Sequence, residues 1–176
     1  MIERGTEYDD EIAATMYHCT LCDMCAHDCV TGWKPSIFIR EARTLAIVND
    51  IAPAAIMQEI ENITTKNNIF GLENDEAFAA EAAKHPVGKD TLLFVGQAGR
   101  TVAAATAVAA MQLLSKAGVE FSVLADEPAS GGYLGDLMGY TGDVQAVAKK
   151  AAEAVKASGA KKLIVLNPYD ACIFRD

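Results

Sequence analysis

Four of the five cysteines in this 176-residue chain lie in one short segment, at Cys19, Cys22, Cys25 and Cys29. Their spacing, C-x2-C-x2-C-x3-C, is the one with which bacterial-type ferredoxins bind iron–sulfur clusters, although Val30 stands where a proline usually follows. A loop that presents a thiolate at every third residue can reach three corners of a cubane cluster. The sequence therefore predicts a site for one [4Fe–4S] cluster, with these four cysteines as the iron ligands.

The identity of the fourth iron ligand is left open by the sequence. In ferredoxins with two such runs, the fourth cysteine of each run binds the other cluster, and this chain has a single run. We favour Cys29 as a local ligand, because Gly32 allows the chain to turn back in place of the missing proline. Cys172 is a less favoured fourth ligand, since it requires the two ends of the chain to dock. A third possibility is that Cys29 binds a cluster in a partner protein.

The same cysteines have two other interpretations, a zinc site and free thiols. Structural zinc sites usually take their ligands from two separated pairs, which this run does not provide. His18 and His27 flank the run, and we expect them to be solvated or to cap a helix rather than to bind the cluster, because histidine ligation of a cubane cluster is unusual. We expect Tyr17 and Trp33 to pack near the cysteines and exclude water, since the surroundings of a cluster set its reduction potential.

The composition of the chain excludes several classes of function. The formal charge is −9 and no cluster of Lys and Arg occurs, so we expect no nucleic-acid partner. No apolar stretch is long enough to predict a membrane span. Four thiols so close together cannot form an unstrained disulfide framework, and reduced cysteines indicate a cytoplasmic protein.

The elements that position these residues differ between the two halves of the chain. Residues 7 to about 85 have the periodicity of helices. In one of these helices Phe38, Ala42, Leu45 and Val48 are expected to form a single apolar face. This half predicts a helical domain at residues 1–75.

The second half alternates between short apolar runs and Ala-rich helices. The runs "TLLFVG", "VEFSVLA" and "KKLIVLN" predict three buried strands, and one helix is predicted at 100–118 and another at 143–159. A Gly-rich loop is expected at 126–142. Strands that alternate with helices imply a parallel sheet. The predicted fold class is α+α/β, with a small three-layer α/β domain at 89–176 and a linker near 71–89.

The segment "MYHCTLCDMCAHDCVTGWKPSIFIREAR" resembles the cluster-binding segment of the iron–sulfur subunits of heterodisulfide reductase and anaerobic glycerol-3-phosphate dehydrogenase. Those proteins have an all-helical ferredoxin domain followed by domains with CCG motifs, so the resemblance implies that the helical domain at residues 1–75 is ferredoxin-like. Residues 89–176 resemble one CCG domain: "DTLLFVGQAGR" its opening strand, "LADEPASGGYLGDLMGYTG" its Cys-Cys-Gly-Gly loop and "KKLIVLNPYDACIFRD" the strand that leads to Cys-Pro-x-Cys. The resemblance implies an electron-transfer role in an anaerobic oxidoreductase complex.

The chain departs from this family wherever the CCG domain carries a thiolate. Gln97 replaces the first cysteine, Ala129-Ser130-Gly131-Gly132 replaces Cys-Cys-Gly-Gly, and Asn167-Pro168-Tyr169-Asp170 replaces Cys-Pro-x-Cys. Carboxylates and amides are poor substitutes for thiolates on iron. We therefore expect no iron in this domain and no disulfide-reducing chemistry.

Three functions remain for this combination of features. The first is a non-catalytic electron-transfer subunit with one [4Fe–4S] cluster, whose partners are flavin, iron–sulfur or metal-cofactor subunits or a second copy of the chain. The alternative is a flavin- or nucleotide-binding oxidoreductase subunit, because "VGQAGRT" lies between a strand and a helix, where a phosphate-binding turn would sit. Asp126 is then the acidic residue that could bind a ribose. The third is a structural role in an oxidoreductase.

Overall fold

The computed structural model describes residues 7–139 and 141–175, apart from the side chain of Cys172. None of the described helices is both long enough and apolar enough to cross a membrane. The first half is helical, and the second half alternates strands with helices, which confirms the predicted class of a helix-rich fold with a small parallel sheet. The described elements, in chain order, are α1 (Asp10–Met16), α2 (Met24–His27), α3 (Pro35–Val48), α4 (Ala54–Lys66), α5 (Glu76–Ala82), β1 (Thr91–Phe94), α6 (Gln97–Arg100), α7 (Ala104–Lys116), β2 (Ser122–Val123), α8 (Gly132–Met138), α9 (Gly142–Ala157), β3 (Lys162–Val165) and α10 (Pro168–Arg175).

The three strands form a parallel sheet with β1 in the centre, in the order β2-β1-β3. Leu92 pairs with Ser122 of β2 on one side and with Leu163 of β3 on the other. The apolar run of β1 is buried, as expected for a central parallel strand that is covered on both faces. Phe78 of α5 packs in the same core as α7, so α5 covers the sheet although it lies in the segment predicted to be a linker.

α8 lies in the segment that the sequence predicts to be a Gly-rich loop. Leu134 of this helix is 1% exposed and packs in a second core with Ile63 of α4 and Val144 of α9. Burial of Leu134 offsets the weak helix propensity of the glycines in α8. The helical half of the chain is therefore attached to the α/β half through α8.

α3 buries a different face from the one predicted. Val48 is 75% exposed, and Phe38 and Leu45 are also exposed, so the predicted apolar face is buried only at Ala42. The buried positions of α3 are Ser36, Ala42, Arg43 and Ala46. Small side chains on this face let α3 lie close to α1 and α8, and the long Arg43 side chain fills the space between them.

Replacing Gly139 with Ala should weaken the contact between α3 and the end of α8. Gly139 has φ of +76°, and a Cβ there would overlap Oγ1 of Thr44. The left-handed backbone and the steric overlap together predict a loss of about 2 kcal/mol or more in the free energy of unfolding, measured by urea denaturation.

Gly142, three residues later, provides the matched control. A Cβ at Gly142 would meet no atom within 4 Å, and its backbone is helical. Gly142→Ala should leave the stability unchanged or raise it by up to about 1 kcal/mol. Equal stability of the two variants would contradict the close packing of α3 on α8.

Candidate metal centre

The four clustered cysteines lie in the segment that connects α1 to α3. Cys22 and Cys25 are exposed, whereas Cys19 and Cys29 are partly buried. α2 is only four residues long and buries none of them, and no residue from 17 to 34 is buried. Few contacts therefore fix this segment, and it can rearrange around a ligand at low cost in lost packing.

The backbone of this segment directs N–H groups and hydroxyls at the sulfur atoms. Leu21 has φ of +55°, and its N–H donates to Sγ of Cys19 at 3.4 Å. The N–H of Met24 and the hydroxyl of Thr20 lower the pKa of Cys22. A leucine in the left-handed region costs about 1–2 kcal/mol, and strain of this kind is concentrated at functional sites.

Cys29 has similar surroundings at the other end of the segment. The hydroxyl of Thr31 lies 3.1 Å from Sγ of Cys29. This hydroxyl, followed by the backbone N–H groups of Thr31 and Trp33, lowers the pKa of the Cys29 thiol. Hydrogen bonds of this type stabilise thiolates, which are the form that binds metal.

The donor set fits an iron–sulfur cluster by its chemistry, because soft thiolates are the ligands that such clusters take. The side chains are not assembled around a common centre, however. Across the described ranges, no three His, Cys, Asp or Glu side chains converge as they would around a metal ion. Ligand binding would therefore require this weakly held segment to close around the group.

The neighbouring aromatic residues lie in two different environments. Trp33 is 60% exposed, so it does not shield the thiols in this structure. The hydroxyl of Tyr17 donates to the carbonyl of Leu137 at 3.0 Å, and burial raises the pKa of Tyr17 to about 12. His18 and His27 are exposed. Tyr17 thus attaches the beginning of the cysteine segment to α8.

Ser130, Asn167 and Asp170, at positions that the resemblance predicts to correspond to CCG thiolates, lie at the carboxyl edge of the sheet. Ser130 donates to Oδ1 of Asp170 at 2.6 Å, and Asp170 is 2% exposed. Gly96 allows this approach, because a Cβ there would lie 2.5 Å from Oδ2 of Asp170. Asn167 donates to the hydroxyl of Tyr133 at 3.1 Å. Hydrogen-bonded polar groups occupy this edge of the sheet, and burial raises the pKa of Asp170.

Glu127 is a buried acid at this edge that the sequence interpretation missed. Its two carboxyl oxygens accept hydrogen bonds from the N–H groups of Val95 and Gly96 at 2.6 and 2.7 Å. Nε of Arg100 lies 3.6 Å from Oε1 of Glu127. Burial raises the pKa of Glu127 to about 8, although Arg100 and the two N–H groups oppose this shift. The neighbouring Asp126, which was the predicted ribose-binding acid, is exposed.

Arg100 joins this edge to the chain that connects the two halves. Its Nη2 donates to the carbonyl of Asn67 at 3.0 Å, and its Nη1 donates to Oδ1 of Asn74 at 3.1 Å. The carbonyl of Arg100 accepts from the N–H of Asp75 at 2.8 Å. Oε1 of Gln97 accepts from the N–H of Ile69 at 2.7 Å. The connecting chain is thus held against α6 by hydrogen bonds.

Replacing Glu127 with Gln tests whether this carboxyl holds a proton near neutral pH. Its pKa is raised to about 8 from an ordinary value of 4.5, so the folded chain binds more protons than the unfolded chain between these values. The stabilisation by the protonated carboxyl is complete below the ordinary pKa of 4.5, and it is lost as the pH rises through the raised pKa of about 8. The free energy of unfolding of the wild type should therefore fall between about pH 5 and pH 8, relative to Glu127→Gln, by on the order of a few kcal/mol.

Asp126→Asn is the matched control, because Asp126 is the adjacent acid in the sequence and is exposed. Its unfolding free energy should follow that of the wild type across the pH range. If wild-type stability instead rose with pH relative to Glu127→Gln, the positive charge of Arg100 would outweigh burial in setting the pKa of Glu127, and this carboxyl would be ionised.

No family model, curated protein or solved structure matches this chain. The resemblance of its sequence motifs to the heterodisulfide reductase family therefore stays a prediction.

Proposed function

We propose that this chain is an electron-transfer iron–sulfur subunit of a multi-subunit oxidoreductase of heterodisulfide-reductase-like type, and that it carries one [4Fe–4S] cluster between α1 and α3. The observation that carries this proposal is the run of four thiols, two of them exposed and two partly buried, in a single weakly held segment. Hydrogen bonds from backbone and hydroxyl groups to these thiols support it.

A cluster bound there would supply the capacity to accept and release one electron. The residues of the chain bind it through Cys19, Cys22, Cys25 and Cys29 and stabilise the thiolates. Exposure of Cys22 and Cys25 at the surface favours exchange of electrons with an outside partner over a reaction in an enclosed site. We therefore assign the chain no catalytic residue of its own.

A partner surface beside the cysteines supports the role of a subunit. Met24, Val30, Trp33 and Ile37 are large apolar side chains that are all more than half exposed. Exposed apolar residues that are close together typically mark contact sites for other proteins. We propose that another redox subunit, with a flavin, iron–sulfur or metal cofactor, covers this surface. A second copy of this chain is the other candidate.

The finer description of the fold belongs to the same proposal. The helices up to about residue 75 would form a ferredoxin-like domain, and residues 89–176 would be a CCG-like domain that has lost its thiolates. Replacement of those thiolates by hydrogen-bonded groups such as Ser130 and Asp170 supports a structural role for the second domain. We place the protein in the cytoplasm, because reduced cysteines suit that compartment.

The chain prepared and loaded with iron and sulfide without oxygen should contain about four irons and about four sulfides, as a single cysteine run implies. Cys22→Ser should remove most of the broad visible absorption, because serine does not replace a thiolate on iron in this setting. A variant with Ser at all four positions of the run should bind no iron. Metal analysis that gives one zinc per chain and no iron would overturn the proposal.

The fourth ligand can be assigned by comparing Cys29→Ser with Cys172→Ser, since the side chain of Cys172 lies outside the described residues. Local ligation predicts that Cys29→Ser gives a three-iron signal in electron paramagnetic resonance or loses the cluster, and that Cys172→Ser keeps four irons. The reverse result would show that the two halves of the chain share the site. Intact clusters in both variants would point to an outside ligand.

A further inference from the structure

Arg43 is a buried cation that touches the cysteine segment from the side of α3. It is 4% exposed, and its guanidinium makes hydrogen bonds to carbonyl groups in three places. Nε and Nη2 donate to the carbonyl of Met16 at 3.2 and 3.0 Å, and Nη2 also donates to the carbonyl of Cys19 at 2.5 Å. Nη1 donates to the carbonyl of Asp136 in α8 at 2.6 Å. Arg43 therefore joins α1, the first cysteine and α8.

The positive charge of Arg43 has no carboxylate partner within the described part of the chain. The side chain of Asp136 forms an ion pair with Arg40 instead, and Arg43 bonds only the backbone carbonyl of that residue. The guanidinium carbon also lies 4.9 Å above the ring of Tyr17. Carbonyl groups satisfy the hydrogen bonds of a buried guanidinium but leave its net charge in place. That charge acts through a medium of lower dielectric constant than water.

Cys19 is the cysteine that these contacts fix most firmly. Its carbonyl accepts from Arg43, and its sulfur accepts from the N–H of Leu21. Cys22 and Cys25 are exposed and lie in the part of the segment with no buried residue. Cys19 is thus held by α3 before any metal arrives, whereas Cys22 and Cys25 lie at the surface.

We infer that Arg43 is a positioning residue of the cluster site, in two ways that rest on the proposed function. It anchors Cys19 as the first ligand, and the other cysteines of the segment then close on the cluster from this fixed point. Its buried charge also stabilises the additional negative charge that the site carries after reduction, which raises the reduction potential. Lysine can supply the charge but not the planar fork that reaches three carbonyls, so the two roles are separable.

The anchoring role is tested in the metal-free chain, with the alkylation rate of each cysteine followed by mass spectrometry. Arg43→Gln should increase the rate at Cys19 about tenfold relative to Cys25, because local opening then exposes its thiol. Arg43→Lys should also increase this ratio. Lys34→Gln is the matched control, since Lys34 is an exposed cation close to the segment, and it should leave the ratio unchanged. An unchanged ratio in both Arg43 variants would overturn the anchoring role.

The electrostatic role is tested by redox titration of the chain loaded with iron and sulfide. Arg43→Gln should lower the midpoint potential by about 59 mV or more, which is a tenfold change in a one-electron equilibrium. Arg43→Lys should keep a potential close to that of the wild type. Lys34→Gln should change it little, because water and salt screen an exposed charge. A wild-type potential in Arg43→Gln would overturn this role.

Failure of the inference differs from failure of the proposed function. If the wild-type chain binds no iron, the proposed function and the electrostatic role both fail, while the alkylation ratios still decide the anchoring role. If the wild-type chain binds iron and neither readout responds to Arg43, the inference fails alone. If Arg43→Gln does not fold, as judged by circular dichroism, Arg43→Lys decides the anchoring role. In that case Arg43→Met, which removes the charge but keeps an apolar side chain, replaces Arg43→Gln in the redox titration and decides the electrostatic role.

Discussion

The arrangement of the α/β half depends on the need to satisfy two buried N–H groups where β1 ends. Val95 and Gly96 leave the sheet in a region closed to water, and an unpaired buried N–H costs about 1–3 kcal/mol. The carboxyl of Glu127 accepts both groups and is itself 1% exposed. A buried carboxyl in turn requires a charge or a proton nearby, and Arg100 lies beside it. Arg100 then bonds the connecting chain at Asn67 and Asn74, so one requirement of β1 determines how the helical half is joined to the sheet.

The cysteine segment is built in the opposite way, with few fixed contacts. Residues 17–34 contain no buried side chain, and Arg43 holds only the start of this segment. A site with rigid, fully assembled thiolates would carry strong repulsion between them in the absence of a cation. A segment anchored at one cysteine avoids this repulsion and can still close around a ligand. The α/β half and α3 thus provide rigidity, and the segment provides adaptability.

The alternation of the three strands with the long helices α7 and α9 could be predicted from the sequence because it depends on local patterns. The run "TLLF" is apolar throughout, and the structure buries it as the central strand. The face of α3 could not be predicted in this way, since periodicity follows apolar residues and the buried face contains Arg43. Arg43 is buried because carbonyls far away in the sequence, at Met16 and Asp136, bond its guanidinium. The helix in the Gly-rich loop was missed for the same reason, because its stability comes from distant partners of Leu134.

For the candidate site, the sequence predicts the ligands but not the charged groups around them. The spacing of the cysteines identifies the ligands, because it is a local property of the chain. The surrounding charges depend on tertiary contacts, and neither Glu127 nor Arg43 has a sequence motif of its own. Glu127 follows β2 within four residues, on the side where the carboxyl ends of parallel strands meet, but the exposed Asp126 does so as well, and only tertiary contacts distinguish the two acids.

The contacts of Glu127 also bear on the choice between electron transfer and nucleotide binding. A phosphate bound at the turn after β1 would need the N–H groups of that turn as hydrogen-bond donors. Those of Val95 and Gly96 already donate to Glu127. A phosphate there would have to rely on the remaining N–H groups of the turn, and it would lie close to the carboxyls of Glu127 and Asp170, which both approach Gly96. The cavity beside this turn, which Gly99 and Asn167 help to line, is only about 170 Å³, smaller than the 300 Å³ or more that is usual for sites of drug-sized ligands. The cysteine segment meets no such obstacle, because two of its thiols are exposed, the other two are only partly buried and its backbone is weakly held.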